Sequence, residues 1–150
     1  MEYTVLRATE EWQRAASYFV RINAMNRRYH IPLRDEFDDH DNDSSKYVIL
    51  LDDTYPISTV RFYELDKDSV LLGRLVVLEE YRDKGLGKTT MLEAEKWIKE
   101  LGYKKIVIDS RLEVIDFYKK LGYKLVENCG CSKCQSKTKT FECTRMEKDI

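Results

Sequence analysis

The chain has no excess of either charge: among its 150 residues, 26 Lys plus Arg stand against 27 Asp plus Glu. No overall basic field is present to hold a nucleic acid, and such a role would need a local patch. Proline is scarce, with Pro32 and Pro56 the 2 present, each beside an apparent turn, and no Pro/Ser-rich linker or internal repeat appears. Long apolar runs are missing too. The longest are strand-sized, far below a membrane span, and Met1-Glu2-Tyr3-Thr4-Val5 lacks the basic-then-apolar pattern of a secretory leader. These absences predict one domain over residues 1–150, cytoplasmic, without nucleic-acid or membrane partners. A chain of this length buries a real core without metal or disulfide support.

Apolar periodicity predicts an α+β fold with a central mixed, mostly antiparallel sheet flanked by helices. A short strand, Tyr3 to Arg7, precedes a helix from about Glu10 to Arg28, with Thr9 as N-cap and Trp12, Ala16, Phe19 and Ile22 along one side. Strand-like runs Tyr47 to Leu51, Ile57 to Tyr63 and Val70 to Leu78 form an antiparallel meander, broken at Asp52-Asp53-Thr54 and Asp66-Lys67-Asp68. A helix over residues 88 to 101 places Met91, Ala94, Ile98 and Leu101 on one face and closes at Gly102. Then follow a β-branched run, Lys105 to Asp109, a helix Leu112 to Leu121 stopped by Gly122, and strands Tyr123 to Val126 and Thr140 to Met146. Strand, helix and strand from Val70 to Asp109 make a crossover that sets two strands parallel, and a cofactor belongs where they part.

The segment Arg82-Asp83-Lys84-Gly85-Leu86-Gly87-Lys88 lies between a strand and a helix and reads as a phosphate cradle. A glycine-bearing turn opening a helix leaves several N–H groups unpaired at one spot, where the helix dipole adds positive charge. Gly85 and Gly87 let the backbone approach a pyrophosphate, and Arg82, Lys84 and Lys88 supply cationic field. An ordinary strand-to-helix turn is the plain alternative.

The strand Leu75-Val76-Val77-Leu78, the signature Arg82-x-x-Gly85-x-Gly87 and the later cluster Phe117-Tyr118-Lys119-Lys120-Leu121-Gly122-Tyr123 together resemble the GNAT superfamily of N-acetyltransferases, which use acetyl-coenzyme A. The resemblance implies that main-chain groups of Leu75, Val76 and Val77 pair with the pantetheine arm as an added strand. It implies that amides from Asp83 to Lys88, Leu86 included, hold the pyrophosphate, and that Tyr118 protonates the departing thiolate. The implied reaction is direct attack of a primary amine of a small molecule or peptide on the thioester, within a protein that is commonly a homodimer. A glutamate serves as base in many relatives, but Gly73 occupies the aligned position, and Glu64, Glu79 and Glu80 read as surface groups, so no base is assigned. Arg111 stands where many relatives carry a coenzyme-contacting asparagine, and an arginine there suits a phosphate or a helix end.

Arg61 and Arg74 fall at inward-capable strand positions and are candidates for a cationic wall facing a substrate carboxylate, with structural ion pairs as the commoner explanation. Phe117 and Tyr118 are expected to face different ways. Gly87-Lys88-Thr89 imitates a P-loop end, but Arg82 occupies the place of its first glycine. Asp39-x-Asp41-x-Asp43 has calcium-loop spacing, yet Ser44 and Leu50 replace the required glycine and glutamate, leaving a solvated acidic loop or an attractor of a cationic amine. Cys129, Cys131, Cys134 and Cys143 have spacing compatible with zinc, but no histidine is near; free thiols and no metal are the expectation. Two other functional classes stay open: a catalytically silent coenzyme A-binding regulatory module, motivated by Gly73, and a zinc-binding interaction protein built on the cysteines.

Overall fold

A computed structural model describes residues 2–126 and 142–150. Among them seven strands form one sheet in the order β1-β2-β3-β4-β5-β7-β6. β1 (Tyr3–Arg7), β2 (Lys46–Asp52), β3 (Tyr55–Asp66) and β4 (Ser69–Val77) follow one another as antiparallel neighbours. β5 (Lys105–Arg111) joins β4 in parallel, and β7 (Cys143–Asp149) runs antiparallel between β5 and the short β6 (Lys124–Leu125). This is the mixed α+β sheet that the apolar pattern anticipates. Cys129, Cys131, Cys134 and the start of the anticipated last strand lie outside the described residues, and β7 itself continues to Asp149.

Helix α1 (Glu11–Arg21) corrects the expected cap and face. Glu10, not Thr9, is the N-cap residue, and Gln13 Oε1 accepts the N–H of Thr9 at 2.7 Å and of Glu10 at 2.9 Å. Trp12 is 52% exposed, while Gln13, Ala16, Ser17, Val20 and Arg21 are buried. Polar partners on the sheet make that polar face buriable: Ser17 Oγ lies 2.6 Å from Thr59 Oγ1. Nor does the helix continue evenly to Arg28. A π-helical turn, Ile22–Asn26, follows α1, and α2 (Arg27–Tyr29) ends where His30 turns left-handed at φ 57°. The wider turn rotates Met25 away from the 3.6-residue register. α3 (Leu33–Glu36) follows.

On one face of the sheet, Val48, Val60, Phe62, Leu72, Ile106 and Ile108 pack with Met91, Ala94 and Ile98 of α4 (Leu86–Glu100) in a fully buried cluster. Complete burial of one such side chain contributes about 1.5–3 kcal/mol. Leu101 leaves this face and is exposed, because α4 stops at Glu100 and Gly102 turns the chain at φ 97°. Ala16 of α1 meets Ile49 and Leu51, which alternation along β2 puts on the opposite face. α5 (Ile115–Lys120) brings Tyr118 to the α4 cluster.

Two irregularities shape β4. Thr59 pairs with Val76 but Arg61 pairs with Gly73, so β4 carries one residue more than β3 over this stretch, a bulge at which Arg74 takes φ 58°. Parallel pairing with β5 ends at Leu72↔Ile108, although β4 runs on to Val77 and β5 to Arg111. Beyond that rung the strands part.

Candidate active site

The parting of β4 and β5 opens a cleft of about 580 Å³. Leu75, Val76 and Val77 form one wall, and the edge of β4 beyond Leu72 has no ladder to β5. Backbone N–H and C=O groups on that edge need partners, which an extended ligand lying alongside would supply.

At one end lies the turn into α4. Asp83 adopts φ 63° and Gly85 φ 75°, and Gly85, the N-cap residue, supplies no side-chain cap to the helix. The first amides of α4 have no acceptor within the helix. Arg82, Asp83, Gly85, Leu86, Gly87 and Lys88 all line the cleft. Arg82 Nε donates to the Val77 carbonyl at 3.2 Å, tying the turn to the end of β4. Lys84 does not line the cleft; its ammonium lies 5.6 Å from the Tyr81 ring centroid. A Cβ at Gly87 would stand in ordinary contact, 3.6 Å from both Phe117 Cζ and Val77 Cγ2, so packing among these residues does not itself require glycine.

Across the opening stand Arg111, Phe117 and Tyr118. Phe117 and Tyr118 both line it, their rings edge-to-face with centroids 5.1 Å apart, so the expectation that the two point apart is corrected. Burial pushes the Tyr118 phenol up to about 12, against a smaller opposing effect of Arg111, and its hydroxyl makes no hydrogen bond among the described residues. It is a protonated donor at neutral pH. Arg111 Nε lies 3.3 Å from Glu113 Oε1.

The acidic loop departs most from expectation. Glu36, Asp38 and Asp41 are ion-paired to arginines of α1, β3 and β4 rather than solvated, although Asp39 and Asp43 are exposed. Arg21, fully buried, binds Glu36 and Asp41. Arg61 reaches Asp38 at 2.8 and 3.2 Å and Asp41 at 3.1 Å, and Tyr47 donates its hydroxyl to Asp41 at 2.8 Å. Burial pushes the Asp38 and Asp41 carboxyls up, but Arg61 and Arg21 outweigh it and hold both below the usual range. Arg61 therefore faces carboxylates of its own chain and does not line the cleft. Arg74 does line it. Its Nη2 meets the Glu36 carbonyl at 3.1 Å and Asp38 at 3.3 Å, while its buried Nε has no hydrogen-bond partner.

Glu64, Glu79 and Glu80 lie outside the cleft, and Glu64 accepts the Tyr103 hydroxyl at 2.8 Å. Met25, Ile31, Glu36 and Asp109 line it without having been anticipated. Met25 and Ile31 are apolar residues off the regular helical register, which is the signal that was available for them. Cys143 lines the cleft as well and is disulfide-bonded, not the free thiol expected. Among the described residues no cluster of His, Cys, Asp or Glu suits a metal.

The sequence model of the Acetyltransferase (GNAT) family matches residues 6–123. The chain belongs to the GNAT acetyltransferase family. It is 26% identical over 119 residues to the uncharacterized N-acetyltransferase YjcF of Bacillus subtilis (strain 168), covering 79% of this chain and 84% of that one. An uncharacterized acetyltransferase of Streptococcus pyogenes serotype M1 is 31% identical over 91 residues, 61% of this chain and 64% of its own length. In fold it matches a Lactobacillus plantarum crystal structure with a TM-score of 0.87 at 24% identity, covering 100% of this chain and 99% of that one. PaiA N-acetyltransferase of Thermoplasma acidophilum, solved in complex with coenzyme A, matches at 0.72 and 19% identity, over 100% of both chains. This GNAT chain is accordingly an acetyltransferase whose co-substrate is acetyl-coenzyme A.

Proposed function

We propose that this protein acts as one domain over residues 1–150 and transfers the acetyl group of acetyl-coenzyme A to a primary amine of a small molecule or peptide. The observation that carries the reading is the single cleft joining an open β4 edge, an uncapped helix N-terminus and the Tyr118 hydroxyl. In this reading the backbone of Leu75, Val76 and Val77 pairs with the pantetheine arm, and the amides from Asp83 to Lys88 hold the pyrophosphate. Arg82 and Lys88 add charge at the turn, Lys84 acts from outside it, and Arg111 contacts the coenzyme from the β5 side.

The amine attacks the thioester carbonyl directly, polarised by an N–H near Val76, and Tyr118 protonates the departing sulfur. Arg74 faces a carboxylate on the acceptor, while Arg61 serves it indirectly by fixing Asp38, to which both are bonded. A cytoplasmic homodimer is the proposed setting; among the described residues no helix is long and apolar enough to cross a membrane.

Acetyl-coenzyme A consumption across a panel of primary amines, with calorimetry of coenzyme A, tests the reading. Saturable binding and turnover of at least one amine are expected. Binding with no turnover would favour the silent regulatory module that the missing carboxylate at Gly73 suggests. Zinc found by elemental analysis would favour the cysteine-based alternative.

A further inference from the structure

Resting on the acetyl-transfer reading, we infer that Asp109 receives the acceptor ammonium and takes its first proton. A Lys-like amine, with a pKa of about 10.4, is mostly protonated at neutral pH and cannot attack until it loses one. Three carboxylates line the cleft among the described residues: Glu36, Asp83 and Asp109. Glu36 is 3% exposed, and its Oε1 accepts from Arg21 Nε at 3.1 Å, inside the buried network. Asp83 lies in the turn that cradles the diphosphate, at the far end from the thioester. Asp109 lies outside both the Arg21 network and the turn, paired instead with Arg145 and less deeply buried than Glu36.

Its position suits the task. The last parallel rung is Leu72↔Ile108, so one step further sets Asp109 beside Gly73, where β4 and β5 part. Gly73 is the position at which the resemblance calls for a glutamate, and a Cβ built there meets nothing within 4 Å. The neighbouring strand thus brings a carboxylate to the space that β4 leaves open. Arg145 on β7 holds Asp109 in a two-point grip, Nε to Oδ1 at 2.9 Å and Nη2 to Oδ2 at 3.1 Å, which fixes the orientation of the carboxylate. Each oxygen retains a lone pair for an ammonium. The other charged groups lining the cleft near it are Arg74 on β4 and Arg111 on the same strand, and Tyr63 on β3, outside the lining, senses the charges of Asp109, Asp38, Arg61 and Arg74.

The protons balance. The ammonium gives its first proton to Asp109, which passes it to water; the neutral nitrogen forms the N–C bond and the C–S bond breaks. Sulfur takes the Tyr118 proton, and the second proton leaving nitrogen restores the phenol.

The test compares wild type, Asp109→Asn and Asp109→Glu, using the panel amine that wild type turns over fastest, from pH 6 to pH 11, with coenzyme A calorimetry on each protein. Asp109→Asn is expected to lower kcat/KM about a hundredfold at pH 7, with the deficit shrinking as pH passes the acceptor pKa. Coenzyme affinity should stay unchanged, and Asp109→Glu should recover most of the rate. A purely structural role through Arg145 would give a deficit equal at every pH, and an undiminished Asp109→Asn rate would likewise overturn the assignment. Failure of wild type to turn over any panel amine would remove the acetyl-transfer reading itself, and this assignment with it.

Discussion

Arg21 reaches Asp41 through two hydrogen bonds, Nη1 to Oδ1 at 2.7 Å and Nη2 to Oδ2 at 3.1 Å, clamping the end of α1 to the acidic loop. Arg61 approaches the same carboxylate from β3 at 3.1 Å, so one acid joins a helix, a loop and a strand. Removing one member of a buried pair leaves the other charge uncompensated, at a cost of about 3–5 kcal/mol. Asp41→Asn should lower the unfolding free energy by that amount in urea titrations at pH 7. A loss near zero would mean that the network is not coupled to folding.

Acid should attack the same place. Asp38 and Asp41 have folded-state pKa values below the unfolded value of about 3.9, so their stabilisation is full above about pH 4 and lost as pH falls through the folded values. The urea midpoint of the wild type should drop steeply between pH 4 and pH 2. Asp38→Asn/Asp41→Asn should start lower and fall less over that interval; parallel curves would place the acid sensitivity elsewhere.

What the sequence made legible followed from local chemistry. Gly85, Gly102 and Gly122 all take positive φ, and the turns read from them stand where glycine permits them. The α4 face was readable because Met91, Ala94 and Ile98 are apolar at helical spacing and meet an apolar sheet. The acidic loop was not, because its partners Arg21, Arg61 and Arg74 come from separate elements, and nothing local to residues 36 to 41 says that three arginines converge there. The α1 face failed for the same reason, since Ser17 and Arg21 are buriable only against Thr59 and the loop carboxylates. Asp109 looked like the end of a strand; only the register with β4 puts it beside Gly73.

The cradle can be tested at Gly85. Its φ of 75° strains any L-residue, while a Cβ there would meet nothing within 4 Å. Gly85→Ala should therefore cost about 1–2 kcal/mol of stability through backbone strain and weaken coenzyme A binding modestly. Gly85→Asp adds a negative charge beside the diphosphate and should weaken binding at least tenfold beyond the alanine variant, a gap that narrows in high salt. Equal affinities for the two variants in calorimetry would contradict the cradle.

Tyr118 should act through its hydroxyl alone. With the phenol held up to about 12 by burial, it stays protonated across ordinary assay conditions, and no alkaline loss of activity below about pH 11 should trace to it. Tyr118→Phe removes the proton donor and keeps the ring that packs in the α4 cluster. A fall in kcat of about a hundredfold is expected with unchanged coenzyme affinity. An unaltered kcat would assign the sulfur's proton to another source.

Arg74 combines a strained backbone with a setting that disfavours its charge. Its φ of 58° is left-handed, at a cost of about 1 kcal/mol relative to glycine. Burial is the largest influence on its guanidinium and pulls the pKa down, reinforced by Arg61 and Arg21 and opposed by Glu36 and Asp38. Asp38, at 3.3 Å from Nη2, supplies part of the counter-charge, and an incoming carboxylate would add to it at the Nε that has no hydrogen-bond partner. Arg74→Gly relieves the strain but removes a partner of Asp38, which keeps Arg61, so the melting temperature should change little. Arg74→Ala keeps the strain and should be less stable than the glycine variant by about 1 kcal/mol. Both should raise KM at least tenfold for an acceptor bearing a carboxylate and leave KM unchanged for its amide counterpart. If KM rises equally for the acid and the amide, Arg74 shapes the pocket without reading charge; if the two variants are equally stable, the bulge stores no strain at this residue.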